Sequence, residues 1–274
     1  MPTSLASFEL KNAVREFWNA SPCGSRYLGD DAYLYHAHLR AALEPHIRDF
    51  ANFNSARGQR VLEIGVGMGA DYLHWLKAGA LATGVDLSQT SLDKARQRCE
   101  RAGLVPDLRL GDAEHLEFAD NTFDLVYSYG VMHHSPDTQQ CLREARRVLT
   151  PGGQLKIMLY HHPSLTGFML WLRYGIFHGR SVRQSVYEYL ESPGTKSFTR
   201  HEVQQMLVGF DDIHFRQVFS PGDLLLHRAS PRFQSSLLRI AWTLYPRTVV
   251  RALGRRYGLF LLVTARKALA PSPG

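Results

Sequence analysis

Two residue types in this sequence have the spacing to do chemistry: glycines that admit a ligand to the backbone, and an acidic residue placed downstream of them. Gly65, Gly67 and Gly69 form a G-x-G-x-G pattern directly after the apolar run 61–64. Glycine lets the chain turn tightly and leaves no Cβ between backbone and ligand. Asp86 follows Gly65 by 21 positions and ends a second apolar run. This layout predicts a nucleoside lying across the carboxyl ends of two adjacent parallel strands.

A second candidate group consists of histidines. His133 and His134 follow a later apolar run, and His161 and His162 follow the next one. Histidine titrates near neutral pH, so one of the first pair could act as a general base, with His133 slightly favoured. Capping of a helix or a backbone hydrogen bond is the alternative role. No His-x-x-x-His pattern with a carboxylate accompanies these histidines, so no metal site is predicted.

These residues need a sheet edge to bring them together, and the pattern between 60 and 160 supplies one. Apolar runs at 61–64, 80–86, 106–110, 123–128 and 154–160 alternate with helical segments. Such alternation predicts right-handed crossovers and a mostly parallel sheet. Ser88 and Thr199 are predicted to begin helices as N-caps.

The flanking segments differ from this core. Residues 1–55 are predicted to be helical, with Pro45 kinking or dividing the second helix. Residues 161–211 break the alternation with an apolar, aromatic helix over 165–177. Two further strands are predicted at 212–219 and 257–265, with an apolar and basic helical insertion at 231–256.

Composition limits the class of protein. The chain has 274 residues, 45% hydrophobic and 21% charged, which is typical of a globular protein. No secretory signal or membrane-spanning run is predicted. Three widely spaced cysteines, Cys23, Cys99 and Cys141, indicate a reducing compartment, and we expect a cytoplasmic protein. The net charge of +7 permits an anionic partner without requiring one.

With these features in place, the chain resembles the class I S-adenosylmethionine-dependent methyltransferases of the small-molecule type, with a methyltransferase domain of the 11 or 25 kind. The resemblance covers residues 60–160 well and the rest loosely. It rests on five ordered motifs, which are 63–69, Asp86, 111–114, 123–134 and 144–153. Agreement among several features is much stronger evidence than one glycine loop.

The resemblance implies a fold and a division of the chain. The fold class is α/β, a Rossmann-like, seven-stranded, mostly parallel sheet in the order 3-2-1-4-5-7-6 with strand 7 antiparallel. Helices precede it, and helical insertions follow strands 5 and 6. The implied segments are a helical lid at 1–55, a cofactor-binding core at 56–160, an acceptor-pocket insertion at 161–211 and closing strands at 212–274.

The resemblance also implies the cofactor, S-adenosyl-L-methionine, with S-adenosyl-L-homocysteine as product. Asp86 is implied to bind the ribose hydroxyls, Asp112 and Ala113 the adenine, and Glu63 the methionine end. The full implied set is Glu63, Gly65, Gly67, Gly69, Asp86, Leu87, Asp112, Ala113, Tyr129 and Val131. The implied catalytic residues are His133 and His134. The implied substrate pocket comprises Trp18, Tyr27, Tyr33, Tyr160, His161, Phe168 and Trp171.

Several alternatives stay open. The acceptor is expected to be a small, apolar or aromatic metabolite methylated on oxygen, nitrogen or carbon. A second hypothesis is an RNA or protein methyltransferase that uses the basic C-terminal region, and a third is a non-catalytic cofactor-binding protein. The 231–256 insertion could contact an anionic membrane surface or pack as a helix with a solvated basic face. Either a monomer or a homodimer is compatible with the sequence.

Overall fold

The structure is a computed structural model that describes residues 4–23, 32–226, 245–252 and 255–269, without the side chains of 4–6 and 32–37. Two predicted features therefore lie outside the described residues. They are Tyr27 and most of the 231–256 insertion. The backbone of Tyr33 is described, but its side chain is not.

A seven-stranded sheet forms the centre of the described chain, and its strand order is β3-β2-β1-β4-β5-β7-β6. Its strands are β1 Arg60–Ile64, β2 Leu81–Asp86, β3 Asp107–Leu110, β4 Phe123–Tyr129, β5 Leu149–Tyr160, β6 Phe210–Val218 and β7 Phe260–Lys267. β7 pairs antiparallel with both β5 and β6, whereas β1 to β5 pair in parallel. The predicted fold class, strand order and antiparallel β7 are confirmed.

Helices cover the faces and the carboxyl edge of this sheet. They are α1 Ser4–Ala20, α2 Ala32–Leu43, α3 His46–Ala51, α4 Ala70–Lys77, α5 Gln89–Arg101, α6 Thr138–Val148, α7 Leu165–Leu170, α8 Val182–Tyr189, α9 Arg200–Met206 and α10 Arg247–Ala252. Pro45 separates α2 from α3, as predicted. The predicted caps are also present, because Ser88 accepts a hydrogen bond from the Ser91 N–H and Thr199 forms a capping box with Glu202.

The structure corrects several element boundaries. β5 begins at Leu149 rather than 154, because Leu149 pairs with Phe123 before a bulge restores the register at Gln154. The helix predicted over 165–177 is α-helical only as far as Leu170. A π-helical turn, Trp171–Gly175, and a 3-10 turn, Ile176–His178, follow it. α8 was not predicted at all; a capping box of Ser181 and Gln184 begins it in a polar stretch with little apolar periodicity.

Two apolar cores lie on opposite faces of the sheet because successive strand residues point to opposite sides. Val61, Trp75 and Tyr127 belong to one core, and Leu62 and Ile157 to the other. All five side chains are fully buried. Burial of each side chain of this size contributes about 1.5–3 kcal/mol, so the two cores fix the edge where the strands end. In the described part of the chain, no helix is long and apolar enough to cross a membrane.

Candidate active site

The glycine loop joins β1 to α4 at the carboxyl edge of the sheet. Gly65, Gly67 and Gly69 all have positive φ angles, of 80°, 54° and 74°. A Cβ added at Gly65 would lie 2.1 Å from the Val131 side chain, and one at Gly69 would lie 2.9 Å from Ala95. A Cβ at Gly67 would meet nothing within 4 Å. The loop is therefore packed at two glycines and open at the middle one, where a ligand could approach the backbone.

Asp86 connects this loop to the start of α5. Its carboxylate accepts hydrogen bonds from the Gly67 and Ser88 N–H groups, each at 2.8 Å. Burial raises the pKa of Asp86, while these backbone donors act in the opposite direction. A carboxylate has about four acceptor positions, so Asp86 can still accept from the hydroxyl groups of a ligand.

A cavity of about 300 Å³ lies beside Asp86, between α1 and the ends of β2 and β3. Leu87, Leu110 and Asp112 form its floor, and Phe8 and Lys11 of α1 form its roof. Lys11 Nζ lies 2.6 Å from a carboxylate oxygen of Asp112, and it also bonds Glu114. The carboxylate predicted to bind adenine is thus paired with a lysine of α1. The neighbouring Ala113 packs against the core that contains Leu62.

The surroundings of Glu63 show whether the site fits the methionine end of the expected cofactor, which carries an ammonium group. Its side chain is buried at the end of β1, and Oε2 has no hydrogen-bond partner among the described residues. Burial, and next the nearby Asp71 carboxylate, raise the pKa of Glu63 well above its usual value. An ammonium group would give this oxygen a partner. The open Gly67, the acceptor Asp86 and the orphaned Glu63 oxygen together fit S-adenosylmethionine.

A polar cluster from α2, α3 and α4 lies next to this loop. Arg40 Nη2 donates to Asp71 Oδ2 at 2.9 Å, and the Tyr127 hydroxyl donates to the same oxygen at 2.8 Å. The Arg40 guanidinium also lies 5.5 Å from the ring centre of Tyr129, whose hydroxyl hydrogen-bonds His46 Nε2 at 2.7 Å. These contacts attach the N-terminal helices to the carboxyl end of β4.

A second group of side chains, which we call the acceptor chamber, lies where β4 and β5 end. It consists of His134, Tyr160, Ser192 and Thr195, which are buried, and of Glu191, which is partly exposed. His134 Nδ1 hydrogen-bonds the Ser192 hydroxyl at 2.8 Å and the Thr195 hydroxyl at 3.0 Å. His134 Nε2 lies 3.4 Å from Glu191 Oε2, and the Tyr160 hydroxyl donates to that carboxylate at 2.7 Å. Glu191 has a φ angle of 58°, an uncommon backbone conformation for a residue with a side chain. Such conformations concentrate at functional sites.

His133 occupies a different environment from His134. It is fully buried, its ring stacks on Tyr160 with centroids 3.8 Å apart, and neither ring nitrogen has a hydrogen-bond partner within the described chain. Burial, with further contributions from His134 and Lys196, lowers the pKa of His133 well below its usual value. A histidine in this position remains neutral and contributes packing.

Helix α1 crosses both halves of the site. Near its middle, Lys11 holds the segment after β3. Near its end, Trp18 packs edge-on against His134 with centroids 5.3 Å apart, and Asn19 Oδ1 accepts a hydrogen bond from the Ser88 hydroxyl at 2.7 Å. One helix therefore contacts the cavity beside Asp86, the start of α5 and the acceptor chamber.

The remaining pocket candidates are dispersed. Tyr160 lines the acceptor chamber, but the next residue, His161, hydrogen-bonds Gln217 of β6. Phe168 is 41% exposed on α7, and Trp171 donates its indole N–H to the Arg180 carbonyl. Within the described ranges, no ring contact joins Phe168 or Trp171 to the chamber.

Several residues of the site were not singled out from the sequence. They are Lys11, Arg40, Asp71, Glu191, Ser192 and Thr195. No local pattern marks them, since each is polar and lies in or near a helix or loop of ordinary composition. Only the folding of 1–55 and 161–211 over the sheet edge brings them to the motifs.

Comparison with known proteins also indicates a methyltransferase. Residues 62–157 match a family model described as a methyltransferase domain. A demethylmenaquinone methyltransferase of Tropheryma whipplei (strain Twist) is 33% identical over 181 residues, covering 63% of this chain and 74% of that protein. The methyltransferase GfsG of Streptomyces halstedii is 38% identical over 112 residues, which is 39% of this chain and 40% of GfsG. The chain thus spans less than half of GfsG but most of the quinone enzyme.

A solved structure shows the same fold over nearly all of the chain. It is a phosphoethanolamine N-methyltransferase 2 of Haemonchus contortus, in complex with phosphomonomethylethanolamine and S-adenosylhomocysteine. The match has a TM-score of 0.61 with 20% identity, and it covers 93% of this chain and 60% of that one. At this identity the likeness concerns the fold.

Proposed function

Because this chain belongs to the class I S-adenosylmethionine-dependent methyltransferases, we propose that it methylates a small organic acceptor bound in the acceptor chamber. The observation that carries this proposal is the position of the chamber. A histidine, a carboxylate and aromatic rings lie at the same sheet edge as the glycine loop and Asp86. When bound, S-adenosylmethionine supplies a methyl carbon activated by the positive charge on sulfur.

We assign the binding of this donor to residues on four elements. Asp86 would accept hydrogen bonds from the ribose hydroxyls, and Glu63 would bind the ammonium. The open backbone at Gly67 would lie against the nucleoside, and Leu87, Leu110 and Asp112, which line the cavity beside Asp86, would hold the adenine.

The walls of the chamber favour an acceptor with an apolar or aromatic body. Tyr160 stacks parallel to Phe260, with an interplanar angle of 8° and centroids 6.0 Å apart. Tyr129 and Trp18 add further ring faces. Rings of this kind bury large apolar area and hold flat ligands with a defined orientation. Positioning of the acceptor is the main contribution that an in-line transfer requires from the protein.

His134 and Glu191 indicate that the reacting atom of the acceptor carries a proton. His134 Nε2 faces the Glu191 carboxylate at 3.4 Å, and its Nδ1 is held by two hydroxyls. This arrangement lets His134 take a proton from a hydroxyl, an ammonium or an acidic carbon while Glu191 stabilises the imidazolium. The neutral, enclosed His133 is unsuited to that task.

The acceptor class is tested by following S-adenosylhomocysteine release from S-adenosylmethionine. The protein is incubated with a cell extract that has been separated into small-molecule and macromolecular fractions. We expect release with the small-molecule fraction. Release only with RNA or protein would contradict the proposal.

The base is tested with the acceptor so identified. We expect His134→Ala to lower kcat by about 100-fold or more, the usual contribution of a general base, with donor affinity changed by less than about threefold. Glu191→Gln should lower kcat by a smaller factor and move the acidic limb of the pH–rate profile. His133→Phe keeps the stacked ring and serves as the matched control. A larger loss in His133→Phe than in His134→Ala would overturn the assignment.

A further inference from the structure

A second cavity, which we call the basic cleft, lies outside the methyl-transfer site. Its volume is about 700 Å³, and it lies beyond the end of β5, between the start of α9 and the turn 255–257. Arg200, Arg255 and Arg256 line it together with three histidines, His161, His162 and His201. None of the described residues that line it is acidic.

One of these arginines is held in place by the sheet edge. Arg200 Nη2 donates to Gln217 Oε1 at 2.7 Å, and Gln217 Nε2 donates to the Arg256 carbonyl at 3.1 Å. Gln217 also hydrogen-bonds His161. A guanidinium has five N–H donors, so Arg200 retains most of its hydrogen-bonding capacity. The cleft wall is thus a connected polar surface rather than a set of independent side chains.

The nearest acidic residue on α9 is already engaged. Glu202 bonds both terminal nitrogens of Arg183, at 2.8 and 2.6 Å, and accepts from the Thr199 N–H. Arg183 lowers the pKa of Glu202 to about 2. Burial, with a contribution from Arg200, lowers the pKa of His161 to about 4, so this imidazole is neutral beside the arginines.

The sequence around the cleft reinforces the charge. From Leu224 to Gly274 the chain has nine Arg and Lys residues and no Asp or Glu. The first 223 residues consequently carry a net charge of −2, although the whole chain carries +7. No residue of this segment, including those outside the described ranges, has an acidic side chain.

We propose that the basic cleft is a second binding site, for a phosphate group carried on a larger molecule. Arginine forms paired, charge-assisted hydrogen bonds with phosphate, and three guanidiniums in one cavity repel one another until an anion joins them. The volume exceeds what a free phosphate needs and matches an ordinary ligand pocket.

The cleft is separate from the acceptor chamber because of strand geometry. Tyr160, the last residue of β5, faces the chamber, and His161, which directly follows it, lines the cleft. Successive residues of extended chain face opposite sides of the sheet. Phosphate binding in the cleft therefore does not depend on the proposed methyl transfer, and each can be tested alone.

The phosphate could belong to a soluble phosphomonoester or to a lipid headgroup, and two probes distinguish these sources. Phenyl phosphate titrations measure the first. Co-sedimentation with phosphatidylcholine vesicles, with and without phosphatidylglycerol, measures the second. Both are carried out on the full chain, as wild type, Arg200→Gln and the double variant Arg255→Gln/Arg256→Gln. Arg143→Gln, on the exposed face of α6, is the control for loss of one positive charge.

We expect the cleft variants to weaken one of the two probes by about tenfold or more for each arginine, and Arg143→Gln to leave it within about twofold. S-adenosylhomocysteine affinity measured on the same variants reports that they are folded. Binding of neither probe, equal loss in Arg143→Gln, or binding only to an RNA oligonucleotide would overturn the proposal.

Discussion

The orphaned oxygen of Glu63 gives the donor site a dependence on pH. A buried carboxyl favours its protonated form, and burial, followed by the nearby Asp71 carboxylate, raises the pKa of Glu63 well above its usual value. The ammonium of a bound donor would stabilise the carboxylate and lower that pKa. Binding then releases a proton wherever the pH lies between the bound and free pKa values. The affinity for the donor should rise with pH across that window and become constant above it.

Substitution of Glu63 tests this linkage. We expect Glu63→Gln to weaken S-adenosylmethionine by about tenfold or more at alkaline pH, because a charged partner is lost, and to remove the pH dependence. Calorimetry in two buffers of different ionisation enthalpy measures the released proton. Glu100→Gln, an exposed carboxylate change on α5, is the control. Equal pH profiles for the wild type and Glu63→Gln would show that another group is responsible.

At the residue scale, the sequence marks the proposed donor residues more clearly than the proposed acceptor residues. The glycines and Asp86 are recognisable because a tight turn and a strand end require particular residues at short range. Glu191 and Arg40 are not recognisable, since their partners Tyr160 and Asp71 are about 30 residues away in the chain and meet only after folding.

At the element scale, α1 is held to the site at its middle and near its C-terminal end, and we propose that it covers the bound nucleoside. The Lys11 contacts with Asp112 and Glu114 are half-buried, and these two carboxylates raise the pKa of Lys11 despite the opposing effect of burial. A pair of this kind is worth about 1 kcal/mol and is partly screened by salt. Its loss would let α1 separate from the cavity more often.

Lys11→Met should therefore increase the dissociation rate of S-adenosylhomocysteine by about fivefold. Stopped-flow displacement measures this rate. Raising the ionic strength should accelerate dissociation from the wild type but have less effect on the variant. Glu16→Gln, at an exposed position of the same helix, should match the wild type. An unchanged rate in Lys11→Met would mean that α1 does not control release.

The elements themselves were predictable where local signals are strong. Pro45, Ser88 and Thr199 mark helix boundaries by their own chemistry, and the structure confirms them. α8 lacks a clear apolar period, and only the pair Ser181 and Gln184 marks its start in the sequence. Its existence depends on tertiary contacts, mainly the burial of Val186 and Ser185.

At the scale of the whole molecule, the donor site joins segments that are far apart in sequence. β1, β2, β3 and β4 each contribute to the edge, and α1 to α3 close over it. A ligand that binds only the folded chain stabilises it by mass action, by about 2.7 kcal/mol at a hundred times Kd. The strand order that creates this edge follows from the resemblance and is confirmed, whereas the placement of the covering helices required the structure.

Saturating S-adenosylhomocysteine should accordingly raise the Tm by about 5 °C, given the size of the chain. Differential scanning fluorimetry measures the shift. Asp86→Asn should reduce it, because an amide presents fewer acceptors to the ribose. An equal shift in the variant, or none in the wild type, would place the nucleoside elsewhere.

The span of α1 has a thermodynamic consequence. Lys11, which lines the cavity beside Asp86, and Trp18, which packs against His134, lie about 10 Å apart along the axis of this 17-residue helix. A single rigid body that contacts both pockets makes their occupancies interdependent. If an acceptor in the chamber holds α1 down, the donor binds more tightly, and reciprocity requires that the donor tighten the acceptor by the same factor. Methyl donor and acceptor would then be cooperative ligands, although they touch each other only at the transferred carbon.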